Sequence, residues 1–289
     1  MEIINNQKVE KLDYYVMQAL NNLDKWTYPD VDITPDDTNI FLGSGSAACV
    51  AQLFTYKLGG FALNASDYKG FFQRAINKNF ASVNIVSASG GKDTIAMAEF
   101  LNEMGIKPNL ITCNDDAPAK LLVNKSYVFP AFIEPPTYNT STYASMIYWL
   151  FNENLDEIKK TISQLQIPNL KKYKYIFFLA ADKYAIIGDM AERKAAEVLE
   201  GIGANSDGFT HGSHGMLRQP NPDRLIFLMN QLYPLPDTTY LLTINSYLGL
   251  MLTTYYIIGK NQTDKDTQNL LKNYGDTVKA MGWKLNKVF

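Results

Sequence analysis

Residues 39–65 read NIFLGSGSAACVAQLFTYKLGGFALNA. A short apolar run, Ile40–Leu42, meets Gly43-Ser44-Gly45-Ser46. A helical stretch then runs to Gly59, and a second apolar run, Phe61–Ala65, follows. Apolar runs of this length without polar alternation fit parallel strands covered on both faces. The same rhythm continues outward through strands at Val83–Val86, Asn109–Thr112 and Ser126–Phe129. Helices fill the gaps at Tyr68–Ile76, up to Met104, and over Thr140–Phe151. Strands alternating with helices predict a parallel sheet closed by right-handed crossovers.

A second opening of the same kind follows the polar helix Asn154–Gln166 and the breaker Ile167-Pro168-Asn169. Tyr175–Leu179 is again an apolar strand, and Ala180-Ala181-Asp182 turns into a helix over Ile186–Leu199. After Arg224–Leu228 the pattern leaves room for two closing helices, near Thr239–Gly259 and Lys265–Met281, so the second half is abbreviated. Upstream of both halves, Val9, Leu12, Tyr15, Val16, Leu20 and Leu23 space an amphipathic helix over Gln7–Asp24. The expected fold class is α/β, two flavodoxin-like three-layer parallel-sheet subdomains, the second shortened. The expected division is 1–38 N-terminal helical segment, 39–153 first subdomain, 154–260 second, and 261–289 C-terminal helix and tail.

The chain's 289 residues are 46% hydrophobic and 19% charged, an ordinary globular composition. With 27 basic against 29 acidic residues it lacks the surplus of a nucleic-acid binder. Cys49 and Cys113 sit apart in apolar runs, which gives no disulfide or zinc spacing and suits a reducing, cytoplasmic compartment. The segment after Met1 is polar, unlike a signal peptide. The apolar stretch Tyr240–Ile258 carries threonines, an asparagine, a serine and tyrosines, so it reads as a buried helix and no membrane is implied.

Two strand-to-helix loops carry serine and glycine. In Gly43-Ser44-Gly45-Ser46 the glycines allow close backbone approach and the serines offer hydroxyls. In Ser87-Ala88-Ser89-Gly90-Gly91-Lys92 two serines precede a turn and a cation. Such loops lie at the carboxyl edge of a parallel sheet, where the following helix's N–H groups and dipole favour an anion. The plainer reading is serine-capped helices. Neither loop has the spacing of a P-loop or a dinucleotide fingerprint.

On the helix Ile186–Leu199 and just beyond it, Lys194, Glu197 and Glu200 recur at three-residue spacing, as a solvated helix face also would. Both histidines fall in the short stretch Phe209-Thr210-His211-Gly212-Ser213-His214-Gly215, expected as a loop. A carboxylate and a histidine suffice to open a sugar ring and move a proton beside a carbonyl. A zinc site using the histidines with Glu197 or Glu200 is the competing reading.

From about Asn39 to Lys260 these motifs resemble the tandem SIS (sugar isomerase) domain family of phosphosugar enzymes. That family includes the isomerase half of glucosamine-6-phosphate synthase and related sugar-phosphate deaminases and deglycases. Gly43-Ser44-Gly45-Ser46 is similar to its first phosphate-side turn. Asn64-Ala65-Ser66-Asp67-Tyr68 is similar to the stretch after its second strand, and Ser87-Ala88-Ser89-Gly90 to its S-x-S-G phosphate loop. Lys194-Ala195-Ala196-Glu197 is similar to its K-x-x-E helix, and Gly208-Phe209-Thr210-His211-Gly212 to its histidine-glycine loop.

The resemblance implies a phosphate held by Ser44, Gly45, Ser46, Ser87, Ala88 and Ser89, with Lys92 where the family has a serine or threonine. It implies Glu197 as base, Lys194 near the sugar oxygens, and His211 or His214 as ring-opener reaching into a neighbouring subunit's site. It also implies a homodimer or larger assembly, no cofactor and no metal. The C-terminal tail, Trp283–Phe289, is either a docked tail or, as the resemblance implies, a lid over the sugar site. No glutaminase segment precedes the resemblance, so a complete glutamine-dependent synthase is not expected. A sugar-phosphate-binding regulator without turnover is the alternative.

Overall fold

The computed structural model describes residues 9–75, 78–135, 137–216, 221–230 and 238–280. Two compact units emerge. One comprises residues 25–133 and 141–152; the other comprises residues 9–24, 134–140 and 153–280 among those described. The tail expected as a lid lies outside the described residues.

The first unit is built on β1 (Ile40–Gly43), β2 (Phe61–Asn64), β3 (Val83–Val86), β4 (Asn109–Thr112) and β5 (Ser126–Val128). All pairings are parallel and the order is β2-β1-β3-β4-β5. Every residue of β1 and β3 is buried. That is why these strands carry no polar alternation. Helices α2 (Ser46–Leu58), α3 (Tyr68–Arg74), α4 (Lys92–Glu103) and α5 (Thr140–Phe151) belong to this half of the chain.

At the amino edge of this sheet a polar chain crosses three strands. Ser82 Oγ donates to Asn39 Oδ1 (2.7 Å) and accepts from Asn84 Nδ2 (2.7 Å), while Asn109 Nδ2 donates to Asn84 Oδ1 (3.0 Å). Asn39 and Asn84 are buried, so these bonds satisfy groups that would otherwise be costly, and they pin the register Asn84↔Asn109.

The second unit repeats the plan. Its sheet holds β6 (Tyr175–Ala180), β7 (Gly203–Gly208), β8 (Arg224–Met229) and β9 (Thr239–Leu242), all parallel, in the order β7-β6-β8-β9. Counted from its own first strand, this is the order of the first sheet less one strand. Helix α7 (Ala185–Val198) sets Gly188 against Phe178 O and the Cβ atoms of Ala180 and Ser206. Helix α8 (Phe209–Met216) sets Gly212 against Phe177, Leu179 and Asp207. Side chains alternate across a strand, so α7 and α8 cover opposite faces of this sheet.

Helix α1 (Leu12–Leu20) belongs to the second unit and packs on α9 (Tyr247–Asn261). A Cβ on Gly259 would lie 2.1 Å from the Asp13 backbone nitrogen, so only glycine permits this approach. Helix α9 is buried on nearly every side, which explains its apolar sequence. No described helix is long and apolar enough to cross a membrane. The remaining helices are α6 (Leu155–Ser163) and α10 (Asp264–Ala280).

Three expectations change. The histidine stretch 209–215 is helical, within α8, because Asp182 accepts from the Thr210 N–H (3.0 Å) and hydroxyl and so caps that helix. The closing helix foreseen near Thr239–Gly259 begins as strand β9 and turns helical only at Tyr247. There Ser246 caps Gly249 N and Glu153 accepts from Tyr247 N and Leu248 N, both at 2.8 Å. Strand β7, sequence GANSDG, was not anticipated.

Candidate functional site

In the first sheet the chain runs from β1 to β2 on one side and continues to β3 on the other. The crevice outside the carboxyl ends of β1 and β3 is therefore a topological switch point, the place where open parallel sheets bind ligands. The two serine-glycine loops flank it. Gly43 ends β1 so close to α2 that a Cβ there would lie 2.5 Å from the Ala48 nitrogen. Gly45 follows at φ 58° and opens α2 with no side-chain cap. Ser44 is exposed and Ser46 half-buried, and among the described residues neither hydroxyl has a hydrogen-bond partner within the chain.

The second loop is tighter. Ser87, Ala88 and Ser89 are half-buried and Gly90 and Gly91 buried. Ser87 Oγ accepts from Gly90 N (3.1 Å) and Ser89 Oγ from Gly91 N (3.3 Å). A hydroxyl that accepts still has its own proton to donate, so both serines are fixed donors at the mouth of α4. Gly90, at φ 61°, has the Ala117 Cβ only 2.5 Å from where its own would be. Helix α4 also starts on a glycine, Gly91, without a side-chain cap. Lys92 is its first residue; the Lys92 side chain lies outside the described ones.

In the second sheet Asp182, just after β6, lies on the β7 side. It occupies the N-terminus of α8, the helix that follows β7. Hydrogen bonds from Thr210, with a smaller contribution from His211 nearby, hold its carboxyl below the usual carboxylate range. A carboxylate seated there opposes a phosphate at that helix N-terminus. His211 is exposed; the His214 side chain lies outside the described ones.

Lys194 and Glu197 form a separate cluster in the second unit. Lys194 is 1% exposed, and its ammonium donates to Glu197 Oε2 (2.7 Å) and to the Thr137 carbonyl, with the Tyr255 ring 5.4 Å away. Thr137 is a β-branched residue at φ 75°. Such a backbone costs on the order of 1–3 kcal/mol and persists only where its surroundings impose it. The Glu197 side chain is 38% exposed and borders a groove of about 670 Å³ with Thr137, Glu200, Asp266, Asn269 and Tyr274. Glu200 pairs with Lys265 (3.5 Å) and accepts from Asn269 (2.8 Å).

Glu197 and His211 are divided by the second sheet. Glu197 lies before β7 on the α7 face, whereas His211 lies beyond β7 on the α8 face, and the six-residue strand spans about 17 Å. Within one chain they therefore cannot ligate one ion, which removes the zinc reading that paired them. Among the described residues no cluster of three His, Cys, Asp or Glu side chains is placed to hold a metal.

No protein-family model and no curated protein sequence matches the chain. Solved structures do. Glucosamine-6-phosphate deaminase from Thermotoga maritima superposes with a TM-score of 0.59 at 15% identity, over 91% of each chain. Tagatose-6-phosphate ketose/aldose isomerase from Escherichia coli gives 0.59 at 14% identity, over 87% of this chain and 89% of that one. The C-terminal domain of glucosamine-fructose-6-phosphate aminotransferase from Francisella tularensis gives 0.55 at 11%, covering 90% and 95%. The fold is the SIS fold.

Within this SIS fold, the structure brings Ser44, Gly45, Ser46, Ser87, Ala88 and Ser89 to one switch point, and Lys194 and Glu197 to one side of the second sheet. His211 stands apart from Glu197. Sequence reasoning missed Thr137, whose carbonyl receives Lys194, and Asp182, which caps α8. It also missed Thr112 and Asn114, whose side chains bond the second serine loop. The Asp182-to-helix turn was visible in the sequence; the Thr137 and Asn114 contacts depend on distant segments and left no local signal.

Proposed function

We propose that this chain binds a sugar phosphate and processes its open-chain form by proton transfer, as an aldose–ketose isomerase or as a deaminase or deglycase of an amino or glycated sugar phosphate. The observation that carries the reading is the Ser87–Gly91 loop: two serine hydroxyls anchored by backbone N–H groups, at the switch point of a sheet whose α2 and α4 begin on glycine. Ser44, Gly45, Ser46, Ser87, Ala88 and Ser89 hold the phosphate, with Lys92 assisting.

Glu197 takes the proton from the carbon beside the carbonyl and returns it to the neighbouring carbon, with Lys194 at its side. The isomerisation is redox-neutral within the sugar and calls for no cofactor. His211 or His214 opens the ring. The separation of His211 from Glu197 across the second sheet supports a histidine supplied by a second copy, and hence a homodimer or larger homo-oligomer, which this reading sets in the cytoplasm.

A sugar-phosphate-binding regulator is the second reading, favoured by the exposure of His211 beside Asp182 and away from the candidate base. Glu197→Gln separates the two. A catalyst loses turnover on its 6-phosphate substrate while keeping the ligand-induced rise in melting temperature. A binding protein shows no turnover in either form.

A further inference from the structure

The second serine loop is held from outside by the chain leaving β4. Ala88 O accepts from Cys113 N (3.2 Å) and Thr112 Oγ1 (3.0 Å). Ser89 O accepts from Asn114 Nδ2 (2.9 Å), and Gly90 O accepts from Ala119 N (3.1 Å). Three consecutive loop carbonyls thus turn toward residues 112–119.

In a trans peptide the C=O and N–H point in opposite directions, so capturing a carbonyl aims the next residue's N–H the other way. The N–H groups so aimed are those of Ser89, Gly90 and Gly91. Gly90 N donates to Ser87 Oγ and Gly91 N to Ser89 Oγ, the two hydroxyls of the candidate anion site. Among the described residues the Ser89 N–H has no partner within the chain. Each contact from residues 112–119 therefore continues through one peptide unit to one donor at the crevice: Asn114 to Ser87, Ala119 to Ser89, and Thr112 with Cys113 to the Ser89 N–H. Hydrogen bonds in series polarise one another.

The two side chains are themselves fixed. Asn114 N donates to Thr112 Oγ1 (3.2 Å) and Asp116 N to Asn114 Oδ1 (3.1 Å), which sets the Asn114 amide with its NH2 toward Ser89. Thr112 is fully buried.

We propose that Thr112 and Asn114 are positioning residues for the anion site, aiming and polarising the serine-loop donors through the Ala88–Ser89 and Ser89–Gly90 peptides without touching the ligand. The inference rests on the phosphate reading of that loop. Asn114→Asp replaces the donor with an acceptor facing the Ser89 carbonyl, Asn114→Ala removes it, and Thr112→Val removes one buried hydroxyl at constant shape. Asn102→Ala is the control. Asn102 Nδ2 bonds Leu122 O (2.8 Å), three residues beyond the bracing segment, and feeds no loop peptide.

The probes are inorganic phosphate and a hexose 6-phosphate, read by calorimetric titration, together with the Gly90 and Ser89 amide proton resonances of the ligand-free protein. Expected is a loss of about tenfold in affinity for the Asn114 variants and Thr112→Val. Asn102→Ala keeps wild-type affinity. The Gly90 resonance moves upfield in the Asn114 variants, and the Ser89 resonance in Thr112→Val. Wild-type affinity in folded Asn114 variants, with Gly90 unmoved, overturns the inference. Equal weakening by Asn102→Ala also overturns it, reducing the segment to a prop. If the wild type binds neither probe, the functional reading falls, and the two amide resonances alone decide the relay: shifted they uphold it, unshifted they refute it.

Discussion

Gly43 shows how one residue fixes a site. Its missing side chain lets α2 begin against the end of β1, with the Ala48 nitrogen where a Cβ would have to go. Gly43→Ala pushes the first turn of α2 away from the crevice and costs about 1–3 kcal/mol of stability, as overpacking does. Urea unfolding measures the loss; an unchanged midpoint would show that the turn yields freely. The serines of both loops were legible in the sequence because each follows an apolar run directly. The braces behind them were not. Asn114 and Ser89 are brought together by the pairing of β3 with β4, and that pairing is a property of the sheet. Lys194 looked like a surface lysine at helical spacing, and only tertiary packing buries it.

At the scale of elements, the central strands β1 and β3 of the first sheet were readable because they are buried along their whole length and largely apolar. Strand β7 escaped because an edge strand of sequence GANSDG has little apolar signal; it is defined by pairing with β6 along its whole length. Helix α8 escaped because its histidines and glycines resemble a loop, and the Asp182 cap lies 28 residues away from Thr210.

Helix α10 offers a test of such capping. Thr263 and Asp266 form a reciprocal box, Asp266 accepting from Thr263 N (2.7 Å) and Thr263 Oγ1 accepting from Asp266 N (3.1 Å). Asp266 also receives Lys171 (3.0 Å) and the Glu200 N–H (3.2 Å). Burial pushes its carboxyl up, and the bonds from Thr263, Lys171 and Glu200 more than offset this, holding it below the usual carboxylate range. Because the unfolded chain binds this proton more readily, the contribution is complete above the ordinary carboxylate pKa. It is lost as pH falls through the lower, folded value. Asp266→Asn should lower stability at neutral pH and flatten the acid limb of the stability profile. An acid limb as steep as the wild type's would assign that limb to other carboxylates.

At the scale of the molecule, the two sheets share one strand order but not one chemistry. The first switch point presents serine donors, whereas in the second sheet Asp182 already fills the N-terminus of α8. This contrast agrees with the proposed anion site in the first sheet. The division of Glu197 from His211 predicts complementation between copies. Glu197→Gln and His211→Ala should each be inactive, and refolding them together should restore about a quarter of wild-type turnover, since half the random dimers are mixed and each has one intact site. No recovery would mean that both groups serve from one chain or that His211 does not act.

The most direct test is calorimetric titration of the wild type and of Ser87→Ala and Ser89→Ala with a hexose 6-phosphate, a hexosamine 6-phosphate and the corresponding unphosphorylated sugars. The account predicts saturable binding of a phosphorylated sugar at one site per chain, no binding of its unphosphorylated counterpart, and a loss of about tenfold or more in each serine variant. Equal binding with and without the phosphate, or serine variants that bind like the wild type, would contradict a phosphate site at the β1–β3 switch point.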